Sequence, residues 1–178
     1  MGNLFTKILA VDESISRKMR VAEKPGLLRS AATFFAHSGD SWFWGIGLVI
    51  IWIFGDLFWQ KWALTQLLLI IVLAVIVLLF KFSIRRKRPE GEWGAIYRNT
   101  DPHSFPSGHA ARAFLIAIVA IALGPTWLAI FLSNWAPIVT LSRVMMGVHY
   151  LSDVIAGAVL GIVVALIGLQ ILPLLGIG

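Results

Sequence analysis

Cysteine is absent from the 178 residues, which excludes disulfides, thiolate metal sites and thiol nucleophiles together. Charge is scarce too: Asp, Glu, Lys and Arg make up 13% of the chain, against 58% hydrophobic residues. A mean hydropathy of +0.85 is too apolar for a water-soluble domain, and the bilayer is the solvent it fits. Low-complexity tracts and internal repeats are missing, and the length suits one domain. Residues 1–40 lack an uninterrupted apolar core, because Lys7, Asp12, Glu13, Arg17, Lys18, Arg20, Glu23 and Lys24 interrupt it. A cleaved signal peptide is therefore not expected. No carboxylate set suited to Mg²⁺ is evident, so neither a metal nor another cofactor is expected.

What remains is a series of apolar runs. A spanning helix needs about 20 mostly apolar residues, and runs at 42–58, 62–80, 109–123, 126–141 and 154–173 approach that length. They predict an all-α, integral-membrane helical bundle with five spanning helices, six if the N-terminal segment also crosses. Leu4, Phe5, Ile8, Leu9, Ile15 and Met19 recur at helical spacing among charges, as in an amphipathic helix over 3–23 lying at the membrane interface. Pro25-Gly26 ends it, a second short helix follows over 27–36, and Ser38-Gly39-Asp40 reads as a turn capping the first span. The division is thus 1–40, an interfacial helical segment, and 41–178, the membrane-embedded domain.

The first two spans are joined tightly around Gln60-Lys61 and predict an antiparallel hairpin, which returns Lys81 to the N-terminal side. The polar stretch 81–105 stays there. Span three leaves, turns at Gly124-Pro125, and span four brings Ser142-Arg143 back. Of the 15 Lys and Arg, only Lys61 falls on the far side. By the positive-inside rule the crowded side faces the cytoplasm, with the cell membrane as the location. A net charge of +6 and a pI near 10.2 then point to anionic membrane lipids rather than nucleic acid. Gly157 and Gly161, with Ala156 and Ala158, suit close helix packing inside the bundle.

Three polar clusters on that one side carry chemistry. Cleaving a phosphate ester requires neutralised oxygens, an in-line nucleophile and a proton for the departing oxygen. Lys81, Arg88 and Arg143 supply cations, the arginines as planar forks that match two oxygens at once. Ser107 and the amides around Gly108 add donors at a helix start, where an anion is favoured. His149 and Asp153, four apart, share a helix face, so the carboxylate can fix the imidazole tautomer and leave the other nitrogen as nucleophile. His109 would then be the general acid.

These residues resemble the signature of the type-2 phosphatidate phosphatase superfamily, which also includes vanadium haloperoxidases and bacterial acid phosphatases. The signature reads K-x6-R-P, P-S-G-H and S-R-x5-H-x3-D, and the chain matches it from Lys81 to Arg88-Pro89, from Pro106 to His109, and from Ser142-Arg143 through His149 to Asp153. The resemblance implies a helical bundle and a phosphohistidine on His149, oriented by Asp153. It also implies that His109 protonates the leaving group and that Lys81, Arg88, Ser107, Gly108 and Arg143 bind phosphate. A finer resemblance, Ser104 to Arg112, is to polyisoprenoid diphosphate phosphatases, and Arg112 could reach a second phosphate. It could instead snorkel to headgroups.

Arg85, Arg86, Lys87 and Arg98 read as interface anchors, His103 as a solvated loop residue, and His37 has no partner in the pattern. Trp42, Trp59, Trp62 and Trp127 form an aromatic belt. The leading expectation is a metal-independent phosphatase hydrolysing a polyprenyl mono- or diphosphate. Phosphatidate or phosphatidylglycerophosphate is the alternative substrate. A lipid phosphotransferase and a non-catalytic anionic-lipid binder or transporter are the competing classes. The oligomeric state is not legible.

Overall fold

The computed structural model describes residues 2–91, 93 and 101–175. Among them there are seven α-helices and no strand, only an isolated bridge between Lys87 and His103. The helices are α1 Gly2–Lys18, α2 Leu27–Ser38, α3 Ser41–Phe54, α4 Leu57–Ile84, α5 Gly108–Leu123, α6 Thr126–Met145 and α7 Leu151–Ile171, with a 3₁₀ turn over Leu172–Leu175.

Among the described residues three helical stretches are long and apolar enough to cross a membrane: Leu57–Ile84, Thr126–Met145 and Leu151–Leu174. The other two expected spans correspond to α3 and α5, apolar helices of 14 and 16 residues. The outer surface is greasy: Ile71, Val75 and Leu79 of α4 and Ile155, Val159 and Val163 of α7 are all exposed. In water such a surface would drive association, whereas in lipid it faces matching hydrocarbon.

The first hairpin turns earlier than Gln60-Lys61. Asp56 caps α4, its side chain accepting from the Trp59 amide at 3.1 Å, so the turn falls at Gly55-Asp56 and Lys61 lies inside the helix. An acidic N-cap satisfies an otherwise orphaned amide, which outweighs the polarity of the following residues.

α5 is the hub. Ala110, Ala111, Ala113, Leu115, Ile116, Val119 and Ala120 are all fully buried, and the helix packs on α6 on one side and α7 on the other. Contact with α7 is backbone-close. A Cβ on Gly157 would lie 2.4 Å from the Ser107 carbonyl oxygen, and one on Gly161 would lie 2.0 Å from that of Ala111. These glycines therefore serve packing within the chain, and they set the separation between the helix that begins with His109 and the one that follows His149.

α1 turns the usual amphipathic arrangement round. Asp12 and Ser16 are buried while Leu4, Ile8, Val11 and Ile15 face outward, as expected where the outer medium is apolar. Its buried polar groups cap α7 from outside: Ser16 Oγ accepts from Leu151 N at 2.8 Å, and Asp12 Oδ1 accepts from Ser152 N at 3.0 Å.

Candidate active site

One end of the bundle gathers the three polar clusters. Lys81 and Arg143 occupy the last turns of α4 and α6, where the helix dipole favours cations, and Gly108 and His109 open α5, where it favours anions. The turn between α6 and α7 is made at Gly147, whose φ of 67° suits glycine, and it presents His149. A cavity of about 230 Å³ is bounded there by Lys81, Arg88, Asp101, Gly108, His109, Arg112, Arg143 and His149. Ser107 and Asp153 are buried behind this wall.

A hydrogen bond sets the tautomer of His149. Its Nε2 lies 3.2 Å from Arg88 Nη1, and because a guanidinium only donates, Nε2 is the acceptor and the ring proton sits on Nδ1. Nδ1 is 3.6 Å from Asp153 Oδ2, longer than a hydrogen bond, and among the described residues it has no other partner. The tautomer thus leaves a lone pair on the nitrogen beside the cations. Burial first, and then the charges of Arg88, Arg143 and Lys81, hold the imidazole pKa well below its ordinary 6.5. The neutral form is the resident one.

Asp153 is fixed from two directions. Its Oδ2 accepts from the Tyr150 amide at 2.9 Å, and its Oδ1 accepts from Arg86 Nη1 at 2.7 Å. The expectation that Arg86 is an interface anchor is corrected here. Arg86 also donates to Ser152 Oγ at 2.6 Å and to Asp12 Oδ2 at 2.7 Å, and its guanidinium lies 4.0 Å over the Tyr150 ring. It ties α1, α7 and the loop after α4 into one network, and its partner on α1 is 74 positions away. Arg98, another of the expected anchors, lies outside the described residues.

The cationic cradle holds a carboxylate. Asp101 pairs with Lys81 Nζ and with Arg88 Nη2, the latter at 2.8 Å, and its carbonyl oxygen accepts from Arg88 Nε at 2.6 Å. Burial pushes Asp101 up, but the hydrogen bond and charge of Lys81, together with Arg88, bring its pKa below the ordinary carboxylate value. The ionised group sits where two of the expected phosphate ligands, Lys81 and Arg88, converge. Arg88 is braced further by donating to the Val148 carbonyl at 2.9 Å, and Arg143 Nη1 donates to that of Ala36 at 3.4 Å.

Ser107 caps α5 and ties it to α7. Its Oγ accepts weakly from the Ala110 amide at 3.5 Å, and its own amide donates to the Asp153 carbonyl at 3.0 Å. His109 Nε2 meets Asp40 Oδ1 at 2.8 Å, and His37 Nδ1 meets the other carboxylate oxygen at 3.2 Å. Arg112 borders the cavity, yet its guanidinium donates to the Gly39 carbonyl and to Ser41 Oγ, the latter at 2.6 Å. It braces the turn before α3 and does not snorkel. Asp40 and Asp101 lie outside the three motifs, and Arg86 occupies one of the unspecified positions of the first.

The chain is similar to known proteins of one family. The family model described as the PAP2 superfamily matches residues 62–176. The chain is 30% identical to "Probable lipid phosphate phosphatase beta" of Arabidopsis thaliana, over 93% of this chain and 90% of that one. It is 28% identical to an undecaprenyl-diphosphatase of Sulfolobus acidocaldarius, over 81% and 70% of the two chains. The crystal structure of a transmembrane PAP2-type phosphatidylglycerolphosphate phosphatase from Bacillus subtilis superimposes with a TM-score of 0.75 at 26% identity, covering 93% of this chain and 86% of that one. The motifs, the helical bundle and these matches together assign the chain to the PAP2 superfamily.

Proposed function

We propose that the protein is an integral-membrane phosphatase that hydrolyses a lipid phosphate, with a polyprenyl diphosphate or phosphate as the preferred substrate, through a phosphohistidine on His149. One observation carries the substrate class. The cavity is cationic at one end, while its wall continues along α4 through Leu78, Val77, Ala74, Leu73 and Ile70. Eleven residues of helix from Lys81 to Ile70 extend about 16 Å, so a phosphate in the cradle leaves a hydrocarbon tail lying against apolar side chains.

In this mechanism the phosphoryl oxygens replace the Asp101 carboxylate on Lys81 and Arg88, with Arg143 and the amides at Gly108 completing the cradle. The displacement also draws the Arg88 fork from His149 Nε2. Nε2 attacks phosphorus in line as the bond to the leaving oxygen breaks, and His109 gives that oxygen its proton. Bond formation leaves a positive charge on the His149 ring, which keeps its Nδ1 proton, and the facing Asp153 carboxylate stabilises that charge. Water then attacks the phosphohistidine, returns a proton to His109, and releases phosphate. Three cations supply the charge neutralisation, and no metal is invoked.

Arg112 favours the alternative substrates at one point. Held on the turn before α3, it meets a second phosphate only by giving up Gly39 and Ser41, which suits a monophosphate such as phosphatidate or phosphatidylglycerophosphate. Phosphate release in detergent from polyprenyl diphosphate, polyprenyl phosphate, phosphatidate and phosphatidylglycerophosphate decides the matter. Highest kcat/KM on a polyprenyl substrate supports the reading, and inactivity on all four removes it.

In the bilayer α3 and α5 would cross together with α4, α6 and α7 as five spans. α5 is enclosed by protein as far as Ala120 and meets the surrounding medium only in its last turn, at Ile121 and Leu123, so its shortness leaves little lipid to be matched. The crowded basic side would face the cytoplasm. A cysteine introduced at position 95, labelled by an impermeant reagent in inside-out but not right-side-out vesicles, is the expected result, and the opposite pattern reverses the orientation.

A further inference from the structure

Asp40 carries none of the three motifs, yet it is bound to one of their histidines. It sits on the turn between α2 and α3, with one carboxylate oxygen 2.8 Å from His109 Nε2 and the other 3.2 Å from His37 Nδ1. The turn is built to hold it. Arg112 grips both neighbours, donating to the Gly39 carbonyl and to Ser41 Oγ. Ser38 is fixed by two indoles, its hydroxyl accepting from Trp135 Nε1 at 2.9 Å and its carbonyl from Trp44 Nε1 at 3.0 Å. At Gly39 the backbone comes so near that an added Cβ would lie 2.9 Å from Val139 and 3.4 Å from the His109 ring. Four residues from three other helices therefore aim one carboxylate at one imidazole.

We propose that Asp40 is a positioning residue of the reaction, the carboxylate that fixes the ring of His109 and stabilises its protonated form. The inference rests on His109 acting as the general acid. A carboxylate only accepts, so the His109 proton facing Asp40 is on Nε2, and Nδ1 is left as the nitrogen that serves the leaving oxygen. In the acid form both nitrogens carry protons. As the His149–phosphorus bond forms and the phosphorus–oxygen bond breaks, Nδ1–H passes its proton to the departing oxygen, while Nε2–H stays on Asp40. When water attacks the phosphohistidine, its proton returns to Nδ1 and the phosphorus–nitrogen bond breaks, which restores the imidazolium. The site then contains two histidine–carboxylate pairs: Asp153 behind the nucleophile and Asp40 behind the acid.

Electrostatics makes such a partner necessary. Arg112 on its own helix, Arg143 from α6, Lys81 from α4, and Arg88, Asp101 and His149 from the connecting segments share the cavity with His109, and four of these are cations that oppose a charge on it. Asp40 is the carboxylate that meets its ring. On the far side Asp40 is supported by His37. Burial pushes Asp40 up, but the hydrogen bonds and charges of His109 and His37 bring it down to about 2, so it is ionised throughout the working range.

The test compares two leaving groups. With a lipid monophosphate as substrate the departing alkoxide must be protonated, whereas nitrophenolate leaves without help, so a defect in the acid shows on the first and little on the second. In Asp40→Asn, kcat on the lipid phosphate falls about 10- to 100-fold, and the loss on nitrophenyl phosphate is at least about tenfold smaller. The alkaline limb of kcat/KM on the lipid also moves to lower pH. Asp40→Ser, shorter but still an acceptor, shows the same selectivity and serves if the asparagine variant does not fold. Equal losses on both substrates, or no loss on either, overturn the proposal. His109→Gln run in parallel separates the two layers. Selective loss there without selective loss at Asp40 overturns the role of Asp40 alone, and absence of selectivity at His109 removes the acid assignment itself.

Discussion

Replacing Arg86 by alanine removes three hydrogen bonds at once, to Ser152 Oγ, Asp153 Oδ1 and Asp12 Oδ2, at 2.6, 2.7 and 2.7 Å. Two buried carboxylates are then left without their shared cation. Breaking a buried pair by removing one partner costs about 3–5 kcal/mol. Asp12 keeps the Ser152 amide and hydroxyl, and Asp153 keeps the Tyr150 amide, which places the loss at the lower end, about 3 kcal/mol. For a chain of this size that lowers Tm by about 6–12 °C. Eight tryptophans permit the melt to be followed by intrinsic fluorescence in detergent, and the lack of cysteine rules out thiol-reactive dyes. Because Asp153 is no longer held behind His149, kcat falls about tenfold or more while KM changes little. Arg86→Lys retains the charge without the fork and recovers only part of each loss. An alanine variant that melts within about 2 °C of the parent and keeps its kcat refutes the idea that this network holds the site.

Three further outcomes are expected. Gly161→Val drives a branched side chain into the Ala111 carbonyl, 2.0 Å from the first added carbon, so α5 and α7 separate. A lower Tm together with lost turnover is the expected result, and an unchanged melt contradicts the packing. Asp101→Asn weakens the internal anion on Lys81 and Arg88, so vanadate, as a phosphate mimic, inhibits at about three- to tenfold lower concentration; weaker inhibition shows that Asp101 supports the cradle and does not compete for it. The acid limb of kcat/KM lies well below pH 6.5, because burial and three cations keep His149 neutral. The same depressed pKa makes the unfolded chain bind the extra proton first, so this contribution to stability is full above pH 6.5 and is lost as the pH falls toward the folded value. An acid limb at or above 6.5 contradicts the assignment.

Much of this was legible in the chain because motif spacing is local. His149 and Asp153 are four apart, Ser107 to His109 opens one helix, and Gly157 with Gly161 marks one face, so each announces itself within a turn or two. Asp40, Asp101, Asp12 and Arg86 do not, since their partners lie 69, 20, 74 and 67 positions away. A lone carboxylate in a loop has no period to betray it. One signal was present for Asp40, an acid immediately before an apolar run, but that pattern alone says helix cap, and Asp40 makes no capping side-chain bond to α3. The hairpin turn was misplaced for a related reason. Polarity at Gln60-Lys61 suggests a loop, whereas the backbone follows the glycine and the acidic cap at Gly55-Asp56. Arg112 belongs to a segment whose resemblance offers a possible second-phosphate contact, and no motif records what the structure adds, that its guanidinium is engaged by a turn 71 to 73 residues earlier.

The account depends most directly on a covalent bond at His149 Nε2. Incubation with a lipid phosphate labelled with ³²P, followed by an alkaline quench, should trap a base-stable, acid-labile label on the protein that maps to His149 and disappears in His149→Ala. A wild-type enzyme that turns over with no such label, or a His149→Ala protein that still acquires it, contradicts the account.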